Sequence, residues 1–288
     1  MAAAPSLAKD KIPPALSPAL WRVADADSEI YLFAAAPFLP AGGDWRSRTV
    51  AAAIDRAETI WFEAPSADQR SQAAAAQIFQ NFGRLPDGQS LSETLGEDGA
   101  AGLSAAMQAV GADPAAIKAL KPWAAFVVLS AELDRKRGAD PAAGVETGVL
   151  LEAIGRQRPV RFLDTLEGAL RVLTEMPEED QRALLGHLIA DWPRQDARAL
   201  ALYESWRAGD AEALAAEAQA PLKAAAPGAY DRLVAARAAA LSDVVAALLD
   251  SPDEAFICLG AALVVGEDGI AANLAARGLT VERLDIAP

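Results

Sequence analysis

Few side chains in this sequence are of a type and setting that could do chemistry. Glu63 closes the apolar run Thr59-Ile60-Trp61-Phe62 and is followed by Pro65 and Ser66. A carboxylate at a strand end can take a proton or hold a cation. The plainer reading is a carboxylate that caps the next helix near Ser66, where the helix dipole favours negative charge. His187 is the only histidine, inside Leu184-Leu185-Gly186-His187-Leu188, and a lone histidine on a helix is more often packed or surface than catalytic. Cys258 lies in Phe256-Ile257-Cys258-Leu259 and reads as a small buried hydrophobe, not a nucleophile. Gly260 and Gly266-Glu267-Asp268-Gly269 sit before a helix, where a phosphate could dock. Their spacing is not a dinucleotide fingerprint, and two acids would oppose phosphate, so a structural turn is expected. Arg22, Arg46, Arg48 and Arg237 could fork onto an anionic ligand, or pair with Glu63 and neighbouring acids.

Length and charge narrow the classes. The chain has 288 residues, 52% hydrophobic and 23% charged, enough for one large domain with a substantial core. Its 26 basic and 40 acidic residues give 26 − 40 = −14, a field that repels nucleic-acid phosphates and anionic lipid. No nucleic-acid partner is expected. One cysteine cannot form an internal disulfide. No apolar run is long enough for a transmembrane helix.

The elements that would position these residues begin after a leader, residues 1–19, rich in Ala, Pro and Ser. Leu20–Val23 and Glu29–Ala34 read as a hairpin around Asp25–Ser28. A helix over Trp45–Ala57 and a strand over Glu58–Glu63 complete a β-α-β unit, expected to bring Phe33–Pro37 and Glu63 to one side of a sheet. Helices follow, broken near Leu85–Gln89, Gly96–Gly99 and Gly111–Pro114. A helix over Val145–Arg156 precedes a short strand, Pro159–Leu163, expected to be buried. The closing segment reads as strand (Glu254–Gly260), helix (Gly266–Arg277, ended by Gly278) and strand (Leu279–Leu284). The expected fold is α/β: a mixed central sheet from two β-α-β halves with a large helical insertion. The expected limits are 20–65 for the N-terminal half, 66–250 for the insertion with its strand near 159–163, and 254–285 for the C-terminal β-α-β unit, all within a single domain of residues 20–288.

Several ordered segments resemble one family. "PALWRVADADSEIYLFAAAPFLP" looks like the opening of TraB/GumN proteins, relatives of the TIKI metalloproteases, and "AETIWFEAP" looks like their second strand with its glutamate at Glu63. "LKPWAAFVVL", "GVETGVLLEAIGRQRPVRFLDTLE" and "YESWRAGDAEAL" resemble the middle blocks, and "FICLGAALVVGEDGIAANLAARGLTVERL" the closing one. The resemblance implies a metal-dependent hydrolase carrying two Gly-x-x-His motifs and a glutamate. Imidazole and carboxylate would hold a divalent metal that lowers the pKa of its bound water.

The departures from that pattern are specific. The first motif falls on Ala34-Ala35-Ala36-Pro37, with Ala34 at the glycine position and Pro37 at the histidine position. The second falls on Gly260-Ala261-Ala262-Leu263, with Leu263 at the histidine position. Arg237-Ala238 stands for the family's Arg-Asn, Glu146 for an aspartate and Ala169 for a glutamine. Neither proline nor leucine offers a donor atom, and His187 matches neither motif. The expectation is a catalytically inactive pseudohydrolase, without metal or other cofactor, that acts as a binding or scaffold protein for a peptide, a protein or a small anionic ligand. The alternative is a residual hydrolase using Glu63 and non-histidine ligands. Many bacterial members of the family carry export signals, so a periplasmic or exported protein is expected if the N-terminus is a trimmed signal stub, and a cytoplasmic one otherwise.

Overall fold

The computed structural model describes residues 18–25, 27–36, 39, 44–66, 68–138, 144–251 and 253–284. Pro37 and the leader up to residue 17 lie outside the described residues. Pro18 and Ala19, expected to belong to the leader, are buried, and the Ala19 carbonyl accepts a hydrogen bond from Ala34 N at 3.1 Å.

Strands β1 (Leu20–Ala24) and β2 (Glu29–Ala35) form the expected hairpin, in register from Leu20↔Phe33 to Ala24↔Glu29. Asp25 Oδ1 accepts from Ser28 N at 2.9 Å and shapes the turn. Helix α1 (Arg48–Arg56), capped by Ser47, leads to β3 (Thr59–Phe62). Helices α2 (Gln69–Phe82), α3 (Leu91–Val110), α4 (Pro122–Lys136) and α5 (Val145–Gly155) follow, then β4 (Val160–Phe162). The expected break at Gly96 is a kink within α3, where the backbone takes φ 73°, a region open chiefly to glycine. Helices α6 (Leu166–Thr174), α7 (Glu178–Ala190), α8 (Gln195–Ala208), α9 (Ala211–Ala218), α10 (Ala220–Ala225) and α11 (Pro227–Tyr230) come next. A π-helical turn, Asp231–Ala235, runs into α12 (Ala236–Leu248). β5 (Glu254–Gly260), α13 (Ala261–Val264), α14 (Ile270–Ala276) and β6 (Thr280–Arg283) close the chain.

The strand order is β4-β3-β5-β2-β1-β6, so the two β-α-β units interleave in one sheet. β5 inserts between β2 and β3 and is parallel to both, while β6 crosses over to pair antiparallel with β1. All but the first residue of β2, and all but the two end residues of β5, are buried, which is why both read as unbroken apolar runs. β4 departs from expectation. It is an edge strand pairing only with β3, and Arg161 and Phe162 are exposed, Phe162 at 39%.

Two main cores result. The first packs both β-α-β units with α5, α12 and Trp206 of α8. The second belongs to α3, α4 and α7, through residues such as Met107, Trp123, Leu129 and Leu185. The segment 66–250 is therefore divided: α5, α12 and residues of α8 and α9 help to build the sheet's core, and α3, α4 and α7 build their own.

Candidate functional site

The parallel register aligns the carboxyl ends of four strands. Ala35 lies opposite Gly260, Phe62 opposite Cys258, and Phe62 opposite Phe162. In α/β sheets that edge is where ligands bind. Glu63 leaves β3 there, and Asp164 leaves the neighbouring edge strand. Asp164 N donates to the Glu63 carbonyl at 2.9 Å, which holds the two loops side by side.

Arg237 joins their side chains. Its Nε and Nη2 donate to Glu63 Oε1 at 3.0 and 2.9 Å, and its Nη1 donates to Asp164 Oδ2 at 2.5 Å. The other Asp164 oxygen accepts from Thr165 N at 2.7 Å. Arg237 is 10% exposed, against 35% for Glu63 and 26% for Asp164, so the guanidinium lies beneath the carboxylates. Burial works against its charge, but Asp164 and Glu63 outweigh burial and raise its pKa. The π-helical turn ends two residues before Arg237, and such turns shift the helix phase and gather at functional sites. Gly168 makes room on the other side: a Cβ there would collide with the Asp164 carboxylate.

Glu146, in the first turn of α5, completes the group. Its side chain reaches solvent, yet burial among neighbouring atoms, and then the charge of Glu63, push its pKa up to about 7. Solvent contact together with crowding puts this carboxyl at the open carboxyl edge of the sheet, the candidate cleft. Trp45 packs on the same helix, its indole filling the space that a side chain at position 148 of α5 would need. Beneath, Cys258 is fully buried, and burial, with a smaller push from Glu146, raises its thiol well above the usual range. It is no nucleophile at neutral pH.

The motif positions border this edge. Trp206 Nε1 donates to the Ala34 carbonyl at 2.8 Å in a fully buried contact. Gly260 faces open space where a Cβ would stand, and Leu263 is 8% exposed, packed in the sheet's core. Glu63 does not cap the next helix; Asp68 does, accepting from Arg70 N and Ser71 N. Arg22 is not part of the cleft: it pairs with Glu29 at the amino end of β2 and reaches toward Glu282. Arg46 pairs with Glu152 of α5 at 2.8 Å. His187 lies in α7 and lines a separate cavity. Glu267 and Asp268 pair with Lys223 at 2.7 and 2.9 Å. Asp164 was not singled out from sequence, although it follows the strand directly in "RFLDTLE".

Among the described residues, no three His, Cys, Asp or Glu side chains stand together as a metal-holding group. No helix there is long and apolar enough to cross a membrane.

No curated protein and no solved structure gives a match to this chain. A sequence model of the TraB/PrgY/gumN family matches residues 19–283, nearly the whole length. Its span takes in both motif positions, Glu63, Glu146 and Arg237. The chain belongs to the TraB/PrgY/gumN family.

Proposed function

We propose that this chain is a non-catalytic member of its family, a binding or scaffold protein that keeps the cleft without the metal chemistry. The supporting observation is the commitment of Glu63 to Arg237. Its Oε1 takes both guanidinium contacts, and both Asp164 oxygens are engaged. Leu263 contributes no lone pair. Among the described residues, the carboxylate oxygens left unpaired at this edge are Glu63 Oε2 and those of Glu146, fewer than a structural or catalytic divalent site takes. The residues present do not fit the metal that the family resemblance implies.

The same pairing favours one ligand class over another. Arg237 is neutralised, and Glu63, Asp164 and Glu146 leave the cleft floor with excess negative charge. A small anion is disfavoured there, and a basic side chain of a peptide or protein segment suits it better. Metal analysis after incubation with zinc, manganese and cobalt, with peptide hydrolysis assayed in parallel, tests the reading. The expected result is no retained metal and no turnover. One retained equivalent that disappears in Glu63→Ala would overturn it.

A second reading rests on Glu146. A carboxyl titrating near neutrality beside one paired with an arginine resembles the arrangement that divides acid and base roles. In that reading a residual hydrolase uses Glu63 and Glu146, and any turnover disappears in Glu146→Gln.

A further inference from the structure

The sheet ends on β4, and among the described residues no strand pairs with its outer edge. Ile60 N donates to the Pro159 carbonyl at 3.0 Å, and Leu163 N to the Phe62 carbonyl at 2.9 Å. Backbone groups of successive strand residues point to opposite sides, so residues 159, 161 and 163 face β3. The N–H and C=O of Val160 and Phe162 therefore point off the sheet, a template on which another strand can pair. The Phe162 ring is exposed there, 6.5 Å from the Phe62 ring between centroids. Leu151 and Ile154, on the helix that leads into β4, are exposed as well.

The charge of this edge runs against that of the chain. From Gly155 to Leu163 there are three arginines and no acid, in a protein of net charge −14. Arg156 takes the carboxylates of Asp55 and Glu152. Arg158 donates to the Asp55 carbonyl at 3.0 Å, and the Arg161 guanidinium lies over the Trp61 ring, 6.0 Å from its centroid. Neither contact is with a carboxylate. Glu58, just before β3, is exposed and bonds to neither arginine, and Asp164, just after β4, is held by Arg237. Two positive charges are therefore left over at the edge.

We propose that this edge takes an extended, acidic segment of a partner protein, its backbone pairing with Val160 and Phe162 and its acids meeting Arg161. Arg158 extends the positive field at the amino end of β4. Side chains alternate across a strand, so Val160 and Phe162 stand on the face opposite Arg161. The segment that fits therefore carries acids on one face and apolar residues on the other, a mode of recognition in which an added strand completes a sheet. A second copy of the chain does not fit. Two β4 edges would set the same arginines against each other, and charge on an edge strand keeps copies apart. The surface is separate from the Glu63 cleft, and the inference stands whatever that cleft binds.

The test is fluorescence anisotropy of the full chain with labelled heptapeptides. One alternates glutamate with valine, one alternates lysine with valine, and one is the glutamate peptide N-methylated along its backbone. The glutamate peptide is expected to bind at least about tenfold more tightly than either of the others, and more weakly as salt rises. Arg161→Glu should weaken it by about tenfold or more. Val160→Pro removes an outward N–H and no bond to β3, a change that an edge strand tolerates, and it should weaken the peptide with the far-ultraviolet circular dichroism unchanged. Absence of binding, equal binding of the lysine or N-methylated peptide, or binding unaltered in Arg161→Glu overturns the inference. So does a dimer in sedimentation velocity that Val160→Pro abolishes, because the edge would then belong to a second copy.

Discussion

Glu146 carries the most testable chemistry of any single residue. Its carboxyl titrates from an ordinary 4.5 up to about 7 in the folded chain. Between those values the native state holds a proton that the unfolded chain has released. Stability therefore falls as pH rises through that window. Below it both states are protonated, and the penalty vanishes. Glu146→Gln should raise the melting temperature at pH 8 by about 2–4 °C, a modest gain because solvent contact screens part of the penalty. At pH 4 the variant and the parent should melt together. Thermal unfolding of both proteins across pH 4 to 8 measures the difference, and a constant offset would show that charge is not the cause. The sequence marks Glu146 only as a substitution in a family block. Its crowding depends on β3 and on Cys258 of β5, which are brought to α5 from both directions along the chain.

At the scale of elements, the cleft depends on how β4 hands over to α6. Gly168 looks replaceable, since alanine in a helix is worth about 1 kcal/mol over glycine. The Asp164 carboxylate occupies the needed space, so Gly168→Ala must displace Asp164 from Arg237 and Thr165. Losing that charge-assisted contact costs about 1.5–3 kcal/mol, which outweighs the propensity. Gly168→Ala should therefore destabilise the chain, and in an Asp164→Ala background the same change should become neutral or stabilising. Urea unfolding of the four proteins in this cycle isolates the coupling; additive effects would refute the steric account. The hairpin, β3, β5 and β6 were legible because their alternation or apolar runs are local. The burial of β4 was misread, because edge position is a property of the sheet and not of the strand. The Arg237–Glu63 pair spans 174 residues, and the π-helical turn that precedes Arg237 has no sequence signature. Nothing local in the sequence distinguishes Arg237 from Arg22 as the partner of Glu63.

For the whole molecule, the interleaving decides how the chain folds. β2 and β3 are joined by α1, yet they meet only through β5, which is made from the last tenth or so of the sequence. Until β5 arrives, the β1–β2 hairpin has no parallel partner and β3 has only the three-residue β4. An isolated hairpin is marginal in water, so the sheet core cannot form in stages from the N-terminus. The second core differs: α3, α4 and α7 bury Met107, Trp123 and Leu185 among themselves, with mostly helical, shorter-range contacts that form readily. A chain ending at Asp250 should therefore keep much of its helical circular dichroism, lose its cooperative melting transition and bind a hydrophobic dye, the signature of a compact state without fixed packing. Adding a peptide of residues 251–288 should restore cooperative melting, because β5 and β6 supply the missing centre and edge of the sheet. A sharp transition in the truncated chain alone would mean that β2 and β3 find another partner, and that the sheet order does not govern stability as argued. Restoration by the peptide would also return Gly260 and Leu263 beside Ala34 and Ala35, reassembling the cleft edge from two separate chains.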